Sequence, residues 1–301
     1  MKVIKNIIYL LMCITIVIPA SACTNSSAVT SATPKHRLEW WLSDIGWDEE
    51  RVSIPKTAIK IAIIDSGIDA NHPDIKNSIK ENIRISELGE CSNNNTDHGT
   101  AVAGIICAHP QNEKGLLGIV DNAQIYSIDV TDNSNGSVET SSLINGINIA
   151  VEKNVDIINI SIGVLNDNQQ LHNAIKRAYE AGIVIVSSAG NFMDKSLLYP
   201  SAYKEVICVG SKSKDGEIIS PKSPESFDEK SIIYLPGEYI TSTSSNNTYS
   251  SSDGTSLSAP ILTGIIALMI QNNPEISQNE IYNYFSKTTK NIKVKNCIDL
   301  K

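Results

Sequence analysis

The sequence predicts an α/β fold of three layers: a doubly wound, mostly parallel sheet with helices on both faces. Three observations carry this. From residue 58 onward, short apolar runs alternate with longer segments whose apolar residues recur every three or four positions. Strands alternating with helices of about 10–15 residues imply βαβ units and a parallel sheet. Glycine-flanked or polar residues fall at the C-terminal ends of the runs, at Asp65, Ser161 and Asn191, where such sheets place their sites. The chain has 301 residues, 41% hydrophobic and 19% charged, with no repeat and no second compositional regime. That is ordinary globular composition on a length that buries a large core.

The elements follow in order. Lys2 and Lys5 form a basic start, Ile7 to Ile18 an apolar run, and Ala20-Ser21-Ala22 a small-x-small cleavage site, so residues 1–22 read as an export signal. The run is shorter than the roughly 18 residues that a membrane span needs. Cys23 directly follows the cleavage point and resembles the lipid-modified cysteine of bacterial lipoproteins; simple cleavage before Cys23 is the alternative. The chain is thus expected to be exported by a bacterium, as a cell-surface lipoprotein or a secreted protein. Residues 23–39, rich in Ser, Thr and Ala, read as a tether, and residues 40–301 as one domain.

Within that domain, Ile59 to Ile64 is a buried strand ending in the turn Asp65-Ser66-Gly67. His98 to Ala108 is a helix of small residues and Gln124 to Val130 a strand. Ser141 to Asn154 is a helix with Leu143, Ile147 and Val151 on one face. Asp156 to Ile162 is a strand, and Gln169 to Ala181 a helix stopped by Gly182. Ile183 to Ser187 and Val206 to Val209 are strands. Ser256 to Gln271 is an apolar helix and Glu275 to Lys287 an amphipathic one.

Charge narrows the partners. The 25 basic and 33 acidic residues give a formal net charge of −8. A basic face for nucleic acid is not expected, and membrane contact is expected only through a lipid on Cys23. Six cysteines are present without metal-ligand spacing. Cys107 and Cys208 sit in apolar runs and read as buried hydrophobes. Cys91 and Cys297 lie in polar segments, and export would permit them to pair.

Three residues carry the candidate chemistry. Asp65 ends an otherwise apolar strand, where a carboxylate is costly without a partner such as an imidazole N–H. His98 opens a helix in Asp97-His98-Gly99-Thr100-Ala101-Val102-Ala103-Gly104. Ser256 starts a helix after Gly254-Thr255, where backbone N–H groups favour negative charge. A serine there is usually a cap and becomes a nucleophile only beside a base. The order Asp, His, Ser excludes an α/β-hydrolase, because no histidine follows Ser256 and Ser258 replaces the last glycine of Gly-x-Ser-x-Gly.

These segments resemble the subtilisin-like serine peptidases. Asp65-Ser66-Gly67 is similar to the family's Asp-[Thr/Ser]-Gly, His98 to Gly104 to its His-Gly-Thr-x-Val-Ala-Gly, and Gly254 to Pro260 to its Gly-Thr-Ser-Met-Ala-x-Pro, with Leu257 in place of methionine. The resemblance covers roughly residues 40 to 290. It implies a subtilisin-like fold and a serine endopeptidase working through an acyl-enzyme. Asp65 would orient His98, His98 would act as base, and Ser256 would attack. Ser187-Ser188-Ala189-Gly190-Asn191 is similar to the segment ending in the oxyanion-binding asparagine, which would be Asn191. Asn159 to Gly163 resembles the strand that pairs with an extended peptide, with Ser161, Ile162, Gly163, Ser188, Ala189 and Gly190 binding substrate.

No cofactor is implied for catalysis. A structural calcium at Asp74 and Asn112, as in some relatives, is as plausible from these residues as an ordinary polar turn. Several secreted members carry a large prodomain, whereas here only about 18 residues separate Cys23 from Trp40. Among members without one are peptidases that remove leaders from modified bacterial peptides of the lantibiotic type. That is the expected role, with general extracellular protein degradation as the competing one and an inactive surface binding module as the non-enzymatic alternative. A monomer is expected.

Overall fold

The computed structural model describes residues 38–48, 57–85, 96–110, 115–131, 137–191, 197–221, 231–288 and 292–300. Residues 1–22, read as an export signal, nearly all of residues 23–39, read as a tether, Cys23, Cys91 and Asn112 lie outside them.

The described residues build an eight-stranded sheet around β1 (Ile59–Asp65). β3 (Ala123–Asp129) and β4 (Ile157–Ile160) flank β1, both parallel to it. β2 (Ile79–Arg84) lies outside β3. On the other side follow β5 (Val184–Ser188), β6 (Ile207–Lys212) and β7 (Ile218–Ser220), with β8 (Ile232–Pro236) also paired to β6. Every pairing is parallel except that of β6 with β7, so the expected mostly parallel sheet is present. β9 (Ile240–Ser244) and β10 (Thr248–Ser252) form a separate hairpin.

Both faces of the sheet are covered, which explains the unbroken apolar runs of its central strands. Along β1, Ile61 and Ile63 join the core on one face while Ala62 and Ile64 join the core on the other. The first face carries α2 (Asp97–Cys107) and α5 (Thr255–Asn272). The second carries α3 (Thr140–Glu152) and α4 (Gln169–Glu180). A short α1 (Trp40–Asp44), α6 (Gln278–Lys287) and α7 (Val294–Ile298) complete the described helices. α5 is long and apolar enough to cross a membrane, but 83% of it is buried: it is the core helix.

Some boundaries differ from expectation. β4 stops at Ile160, which leaves Ser161 to Gly163 just beyond the strand. β6 runs three residues past Val209, paired there with β8. α6 starts at Gln278 because Ser277 caps it in a reciprocal box with Glu280. Cys297 does not lie on a polar surface. It is a buried thiol whose Sγ is 3.7 Å from Tyr284 Oη, and burial pushes its pKa up to about 11. Cys107 and Cys208 are buried as expected.

Candidate active site

The site gathers at the C-terminal ends of β1, β4 and β5. Asp65 closes β1 and is buried. Its Oδ1 accepts a hydrogen bond from the Ser66 main-chain N–H at 2.7 Å and lies 2.7 Å from His98 Nδ1. A ring nitrogen facing a carboxylate carries the proton, which leaves Nε2 as the basic nitrogen. The Asp65 charge raises the imidazole pKa above its ordinary value; burial opposes this less strongly.

His98 is held there by the packing of α2. Gly99 lies against the turn after β1 so closely that a methyl group on it would come within 2.1 Å of the Gly67 carbonyl oxygen. β9 and the start of its turn supply hydroxyls to the same helix. Ser242 donates to Ala101 O and Thr243 to Thr100 O, each at 2.7 Å, and Ser244 donates to Asp97 Oδ1 at 2.9 Å. Ser245, which also donates to Asp97, is the main cause of that carboxyl's lowered pKa. Thr100 Oγ1 accepts from Asp69 N–H at 2.8 Å and donates to Thr96 O at 2.6 Å, which ties the first turn of α2 to the loop after Asp65. The small residues of the His98 segment are therefore packing requirements.

Ser256 is the second residue of α5, after Gly254 at φ 137°. α2 and α5 pack against each other. Among the described residues, His98 is hydrogen-bonded to Asp65 and not to Ser256. Catalytic contacts are often open before substrate arrives.

Asn191 lies beside Ser256 through Thr255. Its Oδ1 accepts from Thr255 N–H at 2.8 Å and from Thr255 Oγ1 at 3.1 Å, while Thr255 Oγ1 accepts from Gly190 N–H at 3.1 Å. With its oxygen occupied, Asn191 presents its NH2 as a donor. Sequence reasoning did not single out Thr255; its place between two motif residues was the available signal.

The segments expected to bind substrate flank this point. Ser161 Oγ accepts from Asn159 Nδ2 at 2.9 Å, and Asn159 Oδ1 accepts from Thr263 Oγ1 of α5 at 2.9 Å, all three residues being buried. Val164, after Gly163, pairs antiparallel with Tyr199. Ser188 ends β5; the Ala189 carbonyl accepts from Leu198 N–H at 3.1 Å, and the Gly190 carbonyl from Ser220 Oγ at 2.9 Å.

Asp74, nine residues after Asp65, is buried. Its Oδ2 accepts from Tyr249 Oη at 2.8 Å and from Leu116 N–H at 3.0 Å. His72 packs beside it, with Nδ1 accepting from Asp74 N–H at 3.2 Å. Tyr249 and Leu116 thus occupy Asp74 Oδ2, and Asn112, the other expected ligand, lies outside the described residues. Among the described residues no cluster of three His, Cys, Asp or Glu side chains suits a metal.

Comparison with known proteins agrees with this geometry. The model of the subtilase family matches residues 56–298. The chain is 39% identical over 233 residues to the major intracellular serine protease of Bacillus subtilis (strain 168), covering 74% of this chain and 72% of that one. It is 34% identical over 241 residues to subtilisin DY of Bacillus licheniformis, covering 78% and 84%. It is 37% identical over 217 residues to the minor extracellular protease Epr of Bacillus subtilis (strain 168), covering 72% of this chain and 32% of that one.

Proposed function

This chain belongs to the subtilase family of serine endopeptidases, and from that membership we propose an exported peptidase that works through Asp65, His98, Ser256 and Asn191. The observation that supports this assignment is the 2.7 Å contact between Asp65 and His98, two residues 33 apart in sequence, the second on a helix packed against the one that carries Ser256 in its first turn.

Asp65 keeps the His98 proton on Nδ1. His98 Nε2 takes the proton from Ser256 Oγ as that oxygen attacks the peptide carbonyl. The oxyanion is bound by Asn191 Nδ2 and the Ser256 main-chain N–H at the start of α5. As the intermediate collapses, the C–N bond breaks and His98 returns the proton to the leaving amine. Water then attacks the acyl-enzyme by the same path and frees Ser256. No cofactor takes part in subtilase catalysis. A structural calcium at Asp74 and Asn112 would take no part in these steps.

Substrate would lie as an extended strand against Ser161 to Gly163 and Ser188 to Gly190. The biological role proposed is removal of the leader from a modified, lantibiotic-type peptide. What supports it is the sequence pattern of an export-type segment at 1–22 followed by a short tether at 23–39. The relatives' names point both inside and outside the cell, so export rests on residues 1–22 alone.

A fluorophosphonate probe tests the active site. Labelling of the wild type but not of Ser256→Ala is the expected result; a folded wild type that resists the probe would overturn the assignment. Leader removal is tested by offering a leader-bearing modified peptide beside casein. Cleavage at a single bond of the former with casein untouched is expected, whereas rapid casein digestion would favour general degradation.

A further inference from the structure

The two segments proposed to bind substrate are bridged by one side chain. Leu198 is partly buried against both Gly163 and Gly190. A methyl group placed on Gly190 would lie 2.9 Å from Leu198 Cγ and 3.1 Å from Cδ1. Placed on Gly163, it would lie 3.0 Å from Leu198 Cβ and 3.4 Å from Cδ1. Atoms of the same leucine therefore stand where a side chain on either glycine would begin. The leucine is fixed in place. Its N–H donates to Ala189 O at 3.1 Å, and the next residue, Tyr199, exchanges two hydrogen bonds of 2.9 Å with Val164. One end of the Leu198 segment is thus laced to the wall beyond Gly163 and the other to the wall before Gly190.

We propose that Leu198 forms the floor of the pocket that takes the side chain on the acyl side of the scissile bond, and limits it to a small uncharged residue such as alanine, serine or glycine. This rests on the reading above, in which Ser161 to Gly163 and Ser188 to Gly190 are the pocket walls. The space in front of the two glycines, which a long side chain would need, is occupied by Cβ, Cγ and Cδ1 of the leucine. The chemistry of the lining agrees. Among the described residues, Ile162, Gly163, Ala189, Gly190 and Leu198 offer no charge, so a lysine or arginine entering there would lose water without gaining a partner.

The test uses the purified full chain and three peptides that differ only in the acyl-side residue: alanine, phenylalanine or lysine. The alanine peptide is expected to have a kcat/KM at least about tenfold above the other two, on the scale at which pocket fit discriminates. Leu198→Gly is expected to lower the alanine-to-phenylalanine ratio at least about tenfold by opening the floor. A wild type that cuts the phenylalanine or lysine peptide as well as the alanine one overturns the proposal, whether or not the variant folds. So does an unchanged ratio in a Leu198→Gly protein that still reacts with the fluorophosphonate probe. If the wild type neither cuts any peptide nor reacts with the probe, the active-site assignment fails first, and the pocket proposal with it. Probe reaction without the alanine preference overturns the pocket proposal alone.

Discussion

Asn191 receives two hydrogen bonds from Thr255 on a single oxygen, one from the main chain at 2.8 Å and one from the hydroxyl at 3.1 Å. The neighbour of the proposed nucleophile therefore sets which end of the amide points at the reacting carbonyl. Asn191→Ala is expected to lower kcat by about 10²–10³ with little change in KM, since the lost donor acts on charge that forms only in the transition state. Thr255→Val keeps the main-chain bond and loses the hydroxyl, so its loss in kcat should be smaller, about tenfold, with Thr255→Ser near wild type. Steady-state kinetics on one peptide check all three. A large rise in KM for Thr255→Val with kcat unchanged would contradict the positioning role.

The Asp65–His98 pair sets opposite pH trends for activity and stability. The Asp65 charge lifts the His98 pKa above its ordinary 6.5. Activity needs the neutral ring, so kcat/KM is expected to rise with pH through a midpoint above 6.5. The protonated ring is the form that the fold favours. Its contribution to stability is full below the unfolded imidazole pKa and fades as pH rises through the higher folded value. Asp65→Asn should move the kinetic midpoint down and lower kcat by about 10⁴, because the tautomer is no longer held. A pH–rate profile beside urea melts at matched pH values measures both.

The βαβ core and the Asp65–His98 pair were legible in the sequence for physical reasons. β1 and β4 are buried on both faces, so their apolar runs are unbroken, and a carboxylate at the end of such a run stands out. β2, with the sequence IKENIR, carries no such signal, because as the outer strand it buries few of its side chains. β10 is mostly exposed Ser and Thr and reads as a loop. Leu198 was not legible as a site residue. It follows another leucine in sequence and looks like any core leucine, and only the fold brings it against Gly163 and Gly190. Thr263 was hidden in the same way among the apolar residues of α5, although its hydroxyl meets Asn159 from 104 residues away.

That Thr263–Asn159 contact supports a prediction on stability. Asn159 and Thr263 are both fully buried, and the threonine hydroxyl supplies Asn159 Oδ1 with a 2.9 Å hydrogen bond. Thr263→Val keeps the volume and strands the acceptor in the core, so a loss of about 1–3 kcal/mol in unfolding free energy is expected. Thr263→Ser keeps the hydroxyl and should lose less. Because Asn159 Nδ2 also holds Ser161 Oγ, the valine variant should raise KM for peptides while kcat changes little. Denaturation curves and kinetics on the same preparations separate the two effects.

Two glycines make a matched comparison of packing against backbone conformation. At Gly99 an added methyl group would stand 2.1 Å from the Gly67 carbonyl oxygen and 3.4 Å from Asp65 Oδ1. The obstacle is main chain, and Gly67 is itself at φ +79°, so neither side yields readily. Gly99→Ala must push α2 off the turn that carries Asp65. A loss of about 3 kcal/mol or more is expected, together with activity, because His98 moves with the helix. At Gly182, after α4, φ is +82° but nothing lies within 4 Å of an added methyl group. Gly182→Ala then costs only the left-handed backbone strain, about 1–2 kcal/mol, and should leave kcat untouched. Equal losses in the two variants would show that backbone strain, and not the contact between α2 and the Asp65 turn, governs the packing of the site.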